Sequence, residues 1–256
     1  MDPQEAYEKI AQRLDITPDL VPYLVEIGLD QTIINPILPS TVKKFGALLD
    51  LKPGKRILDL GCGKAGVTLP LVHTYKVQLT GVDLMPDYIR EAWSRAEHTG
   101  LYEMCDFLNM DAAEFVAQVI GKRRWDAVFV LGLLPFIWPD QKEGVQKLKA
   151  LAASGGYVVI GQAYVKDGVT MAPDFPLMTK DATTDMVSAA GTVVEIFDDG
   201  DEGWEAYKAP QRTGIARLRE NDPDNQNLMA FLDQWEKQMD EESRDLGNAV
   251  WVIKVD

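Results

Sequence analysis

The segment ILDLGCGKAG, residues 57–66, constrains this chain more than any other ten residues. An apolar strand runs directly into a turn carrying Gly61, Gly63 and Gly66, so a buried strand ends there and a helix follows at once. Turns of this kind bind anionic or polar ligands through backbone amides and the N-terminus of the next helix. As a bare spacing, GxGxxG fits a dinucleotide pyrophosphate, a different ligand, or a tight turn with no ligand. Asp59, two residues before the first glycine, argues against the first, because a carboxylate there faces the pyrophosphate and repels it.

From Arg56 onward, short apolar runs alternate with helical ones, the pattern of βαβ units around a parallel sheet. The strands are RILDL, VQLTGVD, MCDFLNM, DAVFVLG and GYVVIGQAY, with helices near 66–75, 86–98, 112–119 and 141–151. After Tyr164 the alternation stops at an irregular, proline-containing segment. A helix near 180–190, the strand TVVEIFDD, two helices within 203–219 and 227–243, and a final strand NAVWVIKV follow. The expected fold is α/β, a Rossmann-like, doubly wound, seven-stranded sheet with helices on both faces and a helical insertion before the last strand. The last two strands are expected to include an antiparallel edge strand. The first fifty residues read as helices, with start signals at Asp2-Pro3-Gln4-Glu5 and Thr17-Pro18. We therefore expect a single domain over 1–256, with a helical cap (1–50), a ligand-binding core (51–165) and a C-terminal lid with the final strands (166–256).

Charge narrows the partners. With 26 Lys+Arg against 40 Asp+Glu, the formal net charge is −14, which repels nucleic acid and anionic membrane surfaces. The basic cluster at Lys122, Arg123 and Arg124 reads as a solvated loop. Neither a signal peptide nor a run of about 18 apolar residues is present, so a cytoplasmic protein is expected. Two cysteines, Cys62 and Cys105, make neither a metal tetrad nor a disulfide framework. His73 and His98 lie at no ligand spacing, and no metal is expected.

Ligands of open α/β sheets sit at the carboxyl ends of the strands. That rule gathers the Gly61 turn, Asp83, the Asn109-Met110-Asp111 segment and the Leu131-Gly132-Leu133 segment into one crevice. Its three acids, Asp59, Asp83 and Asp111, suit a ligand with a positive centre, a ribose diol and an exocyclic amine. Over roughly residues 52–165 the chain resembles a class I S-adenosylmethionine (SAM) dependent methyltransferase, with DLGCGKAG, GVDLMPDYIREA, NMDAAEF and WDAVFVLGLLPF as its motifs in order. The resemblance implies that Asp59 and the turn of Gly61, Cys62 and Gly63 hold the methionine moiety. It also implies that Asp83 accepts the ribose hydroxyls, Leu84 and Met85 pack on the adenine, Asp111 and Ala112 take the adenine edge, and Gly132 and Leu133 border the methionine end. One departure stands out: the family form is GxGxG, and here Ala65 holds the third glycine position with Gly66 one residue later.

INP (34–36) and DEGWEAY (201–207) resemble segments of a bacterial branch that acts on small molecules. The reaction expected is methyl transfer to a small-molecule nucleophile, leaving S-adenosylhomocysteine as product. A protein acceptor, an NAD-type oxidoreductase and a non-catalytic SAM-binding module are the alternatives. Candidate residues of the acceptor pocket are Tyr7, Tyr23, Asn35, Phe136, Trp138, Gln162, Tyr164, Trp204 and Tyr207, with Phe136 and Trp138 first because they follow the fourth strand. No residue stands out as a general base. Asp199 and Asp201 read as solvated loop, and QWEKQMDEESRD (234–245) as a charged outer helix face with internal ion pairs. The sequence gives neither the accepting atom nor the oligomeric state.

Overall fold

A computed structural model describes residues 1–172 and 176–256; part of the irregular segment after Tyr164, residues 173–175, lies outside them. The seven strands are β1 (Arg56–Leu60), β2 (Gln78–Asp83), β3 (Cys105–Asn109), β4 (Trp125–Leu131), β5 (Ala152–Val165), β6 (Thr192–Asp198) and β7 (Leu246–Lys254). They form one sheet in the order β3-β2-β1-β4-β5-β7-β6. The first five are parallel, and β7 runs antiparallel between β5 and β6. The antiparallel strand is therefore interior and β6 is the edge, which corrects the expectation. The residues explain the exchange: β7 is apolar and buried along nearly its whole length, as a central strand must be, whereas β6 is half-exposed.

Alternation along the strands feeds two cores. Ile57, Leu79, Ala127, Phe129, Val159 and Val252 face one layer, covered by α3 (Pro39–Gly46), α4 (Thr68–Tyr75) and α5 (Pro86–His98). Leu58, Leu60, Val82, Val128, Ile160 and Trp251 face the other, covered by α6 (Ala112–Val119), α7 (Leu134–Ile137), α8 (Gln141–Leu151) and α9 (Lys180–Val187). Trp251 is wholly buried and its indole N–H donates to the Thr184 hydroxyl at 2.8 Å, so the largest core side chain leaves no unsatisfied donor.

A third apolar cluster lies over the carboxyl ends of the strands. It joins α1 (Pro3–Leu14) and α2 (Val21–Ile27) to α10 (Gly200–Asn221) and α11 (Gln226–Asp245), through Ile10, Leu24, Ile27, Ile215, Phe231 and Leu232, and it reaches down to Leu84 and Met85. The two ends of the sequence thus share one hydrophobic roof above the crevice.

Candidate active site

Beneath that roof is a cavity of about 490 Å³. Its floor is the end of β1. Asp59 points toward α4, where its Oδ2 accepts a hydrogen bond from the Thr68 hydroxyl at 2.8 Å. Its Oδ1 is buried and has no partner, and burial pushes the carboxyl up to about 7. The chain then turns at Gly61, whose φ of +77° favours glycine; a Cβ there would meet a Leu133 methyl at 2.0 Å. Cys62 faces the sheet beside Gly81, and burial holds its thiol well above the ordinary range, so it is an inert filler of the turn.

Asp83 ends β2 and braces the turn from the side. Its Oδ2 accepts the Gly63 amide and its Oδ1 the Met85 amide, both at 2.8 Å. Burial raises its carboxyl, and these amides draw it partly back. Each carboxylate oxygen accepts one amide and keeps capacity for a hydroxyl as well, and Asp83 lines the cavity. The Asn109 side chain donates to the Asp83 and Leu84 carbonyls at 3.1 and 2.9 Å, which fixes the loop between β2 and α5.

Asp111 differs from its expected role. Its carboxylate N-caps α6, accepting the Ala113 and Glu114 amides at 2.8 and 3.3 Å, and it also pairs with Arg13 of α1. The first turn of a helix needs such an acceptor, and the run Asp111-Ala-Ala-Glu114 has the form of a cap. Ala112 lines the cavity and Asp111 does not.

The displaced third glycine has a packing explanation. A Cβ on Gly66 would fall 1.8 Å from the Thr32 carbonyl oxygen, so Gly66 admits the backbone of the loop after α2 rather than a phosphate. Lys64 ties down the same loop. Only 3% exposed, it donates from Nζ to the Gly28 and Leu29 carbonyls at 2.7 and 3.1 Å. Burial lowers its ammonium pKa. Further along this loop, Asn35 lies against Gly132 and donates to the Leu131 carbonyl at 3.4 Å.

Of the acceptor-pocket candidates, Asn35, Phe136, Gln162, Trp204 and Tyr207 line the cavity, as do Gly132, Leu133, Leu84 and Met85 from the cofactor set. Four do not. Tyr7 donates to Asp87 at 2.7 Å, Tyr23 packs within the roof, and Tyr164 donates to Asp198 at 2.6 Å on the edge side of the sheet. Trp138 is 5% exposed and packs against Gly144 in the core. Each is drawn off by a nearer partner, and in an alternating strand Tyr164 shares its side with Gln162 yet lies farther along, beyond the cavity.

Two expectations about the lid need correction. Asp199 is not solvated: it accepts the Leu38 amide at 2.8 Å and the Thr41 hydroxyl at 2.5 Å, pinning the start of α10 to α3. The helix around QWEKQMDEESRD turns one face inward, with Gln234, Trp235, Gln238, Met239 and Glu242 lining the cavity. The signal was present, since Leu228, Phe231, Leu232, Trp235 and Met239 follow helical spacing. Arg13, Lys64 and Tyr88, which also line the cavity, do not stand out in the sequence for a different reason: single charged or phenolic side chains carry no period. Among the described residues no group of acids, cysteines and histidines is arranged to hold a metal ion.

Residues 57–156 match the family model described as a methyltransferase domain. Residues 57–156 thus carry a methyltransferase domain, and the fold around them is that of SAM-dependent methyltransferase structures. The chain is similar to the uncharacterized protein YjhP of Escherichia coli, 27% identical over 209 residues that make up 77% of this chain and 81% of that one. A crystal structure of a SAM-dependent methyltransferase from Geobacter sulfurreducens in complex with S-adenosylhomocysteine has the same fold. Its TM-score is 0.80, at 22% identity over 90% of this chain and 96% of that one. Phosphoethanolamine N-methyltransferase 3 of Arabidopsis thaliana is 28% identical over 68% of this chain, but the match spans only 34% of that protein.

Proposed function

We propose that this methyltransferase moves the methyl group of SAM to a nucleophilic atom of a small molecule enclosed with it under the lid. One observation carries the reading: a single cavity runs from the unpartnered, buried Asp59 oxygen and the Asp83 loop to the wall of Phe136, Gln162, Trp204 and Tyr207. The donor set fits the cofactor. Asp59 and the amides of the Gly61–Gly63 turn would hold the methionine end, with Gly132 and Leu133 beside it. Asp83 would accept the ribose hydroxyls, and Leu84, Met85 and Ala112 would enclose the adenine. A dinucleotide fits less well, because Asp59 opposes a pyrophosphate and Gly66 is filled by the Thr32 carbonyl.

SAM, when bound, supplies a methyl group on a positively charged sulfur. The protein's part is to hold the acceptor in line with that bond and to exclude water. Alignment of this kind is worth about 7–11 kcal/mol in favourable intramolecular reactions, and the roof of α1, α2, α10 and α11 keeps water from the line of attack. The net charge of −14 supports a small acceptor over RNA. Among the described residues, no helix is long and apolar enough to cross a membrane.

Incubation with methyl-labelled SAM and a bacterial metabolite extract tests the reading. A labelled small molecule that appears only with active protein is the expected result. Label confined to protein or RNA, or no transfer despite SAM binding, contradicts it.

A further inference from the structure

We propose that the part of the cavity away from the glycine turn is an acceptor subsite for a small cationic amine with an apolar body, held by the Glu242 carboxylate beside the rings of Trp204 and Tyr207. The inference rests on the SAM reading and adds the chemistry of the acceptor.

Four elements converge there. In the β5–β7 register Ala163 pairs with Asn248 and Val165 with Leu246, so these side chains share the face of the sheet against which Trp204 packs. β7 begins at Leu246, just after the last turn of α11, which carries Glu242. Trp204 packs with Val165 and Leu246. Its ring stands edge-on to Tyr207 with centroids 6.0 Å apart, and the Tyr207 hydroxyl feels the Glu242 charge.

This wall holds polar capacity that the protein does not use. Trp204 Nε1 is buried without a hydrogen-bond partner, and the residue is 4% exposed. A buried polar atom without a partner is destabilising, so a ligand that meets it gains from the contact. Glu242 accepts a hydrogen bond from Gln238 at 2.9 Å, and burial still pushes its carboxyl up. A positive partner removes that burden, and aromatic rings attract the same charge.

The charge balance sets the sign of the acceptor. The cations that border the cavity among the described residues are Arg13 and Lys64. Arg13 is paired with Asp111, and Lys64 is engaged by two carbonyls. A phosphate or carboxylate on the acceptor would meet Glu242 with no free cation to offset it. The matched site wants an N–H donor for Glu242, and an oxygen or ring nitrogen for the Trp204 indole.

The transfer balances with an amine. The ammonium loses a proton to Glu242 and thence to solvent. Its nitrogen lone pair forms the new N–C bond as the C–S bond breaks with its electron pair returning to sulfur, so the positive charge passes from sulfur to nitrogen.

The test titrates benzylamine, benzyl alcohol and benzoate at millimolar concentration into protein saturated with S-adenosylhomocysteine, by calorimetry and tryptophan fluorescence. Benzylammonium is expected to bind at least about tenfold more tightly than the other two, and Glu242→Gln to abolish that preference. Calorimetry of the variant with S-adenosylhomocysteine verifies its fold. Equal binding of the three probes, tighter binding of benzoate, no binding of benzylamine, or a preference retained in Glu242→Gln overturns the proposal while leaving the SAM reading in place. Failure of S-adenosylhomocysteine itself to bind overturns both.

Discussion

Asp59 titrates near neutrality because burial leaves one of its oxygens without a partner. Its folded value of about 7 lies above the unfolded value of about 3.9. Below about pH 4 the group is protonated in both states and its contribution to stability is fully present. Between about 4 and 7 the folded protein keeps a proton that the unfolded chain has lost, so stability falls as pH rises through that window. Urea unfolding at pH 5 and pH 8 is expected to show this loss in the wild type and a smaller one in Asp59→Asn; equal slopes in the two proteins contradict the assignment. Gly66 gives a second residue-scale prediction. Its backbone needs no unusual angle, but any side chain meets the Thr32 carbonyl. Gly66→Ala should therefore lower stability by about 1–3 kcal/mol in urea, and an unchanged midpoint would show that the loop moves aside freely. At this scale the sequence disclosed Asp59 and Asp83 through their places at strand ends. It did not disclose why Ala65 and Gly66 depart from the family spacing, because the cause is a carbonyl more than thirty residues away.

The elements are where reading the sequence succeeded most and also erred most consistently. The βαβ core followed from alternating periodicity, and so did the helices that cover it. The error came in judging faces: α11 carries many charges, yet its inward face of Trp235, Met239 and Glu242 closes the cavity. Loops posed the same problem, because Asp199 in a charged turn becomes the acceptor for α3 only once α10 is placed beside it. Lys64 links two such elements, joining the glycine turn to the C-terminal end of α2, where a cation also meets the negative end of the helix dipole. Replacing it by Met removes both bonds, leaving the Gly28 carbonyl with the Gln31 amide alone and the Leu29 carbonyl without its side-chain partner. Hydrogen exchange over residues 28–36 in Lys64→Met should accelerate, with SAM affinity reduced by about 1.5–3 kcal/mol. Protection and affinity both equal to wild type would contradict the clamp.

The whole molecule couples its two ends through the roof. The N-terminal helices and the insertion between β6 and β7 meet above the cavity, so the core alone leaves the site open to solvent on that side. Sheet order was legible as far as five parallel strands and two more, but not the interior place of β7, since sequence order says nothing about which of two late strands lies inside. Its continuous burial, visible as the unbroken run NAVWVIKV, was the available clue. The strongly negative charge and the closed roof together fit a cationic cofactor and a small acceptor better than a polyanion.

The most direct test of the central claim is calorimetric titration of the purified protein with SAM, S-adenosylhomocysteine and NAD in parallel, repeated with Asp83→Ala. Binding of the two sulfur compounds without NAD, weakened by about 1.5–3 kcal/mol for each ribose hydrogen bond lost in the variant, is the expected result. Binding of NAD alone, or SAM affinity indifferent to Asp83, would contradict it.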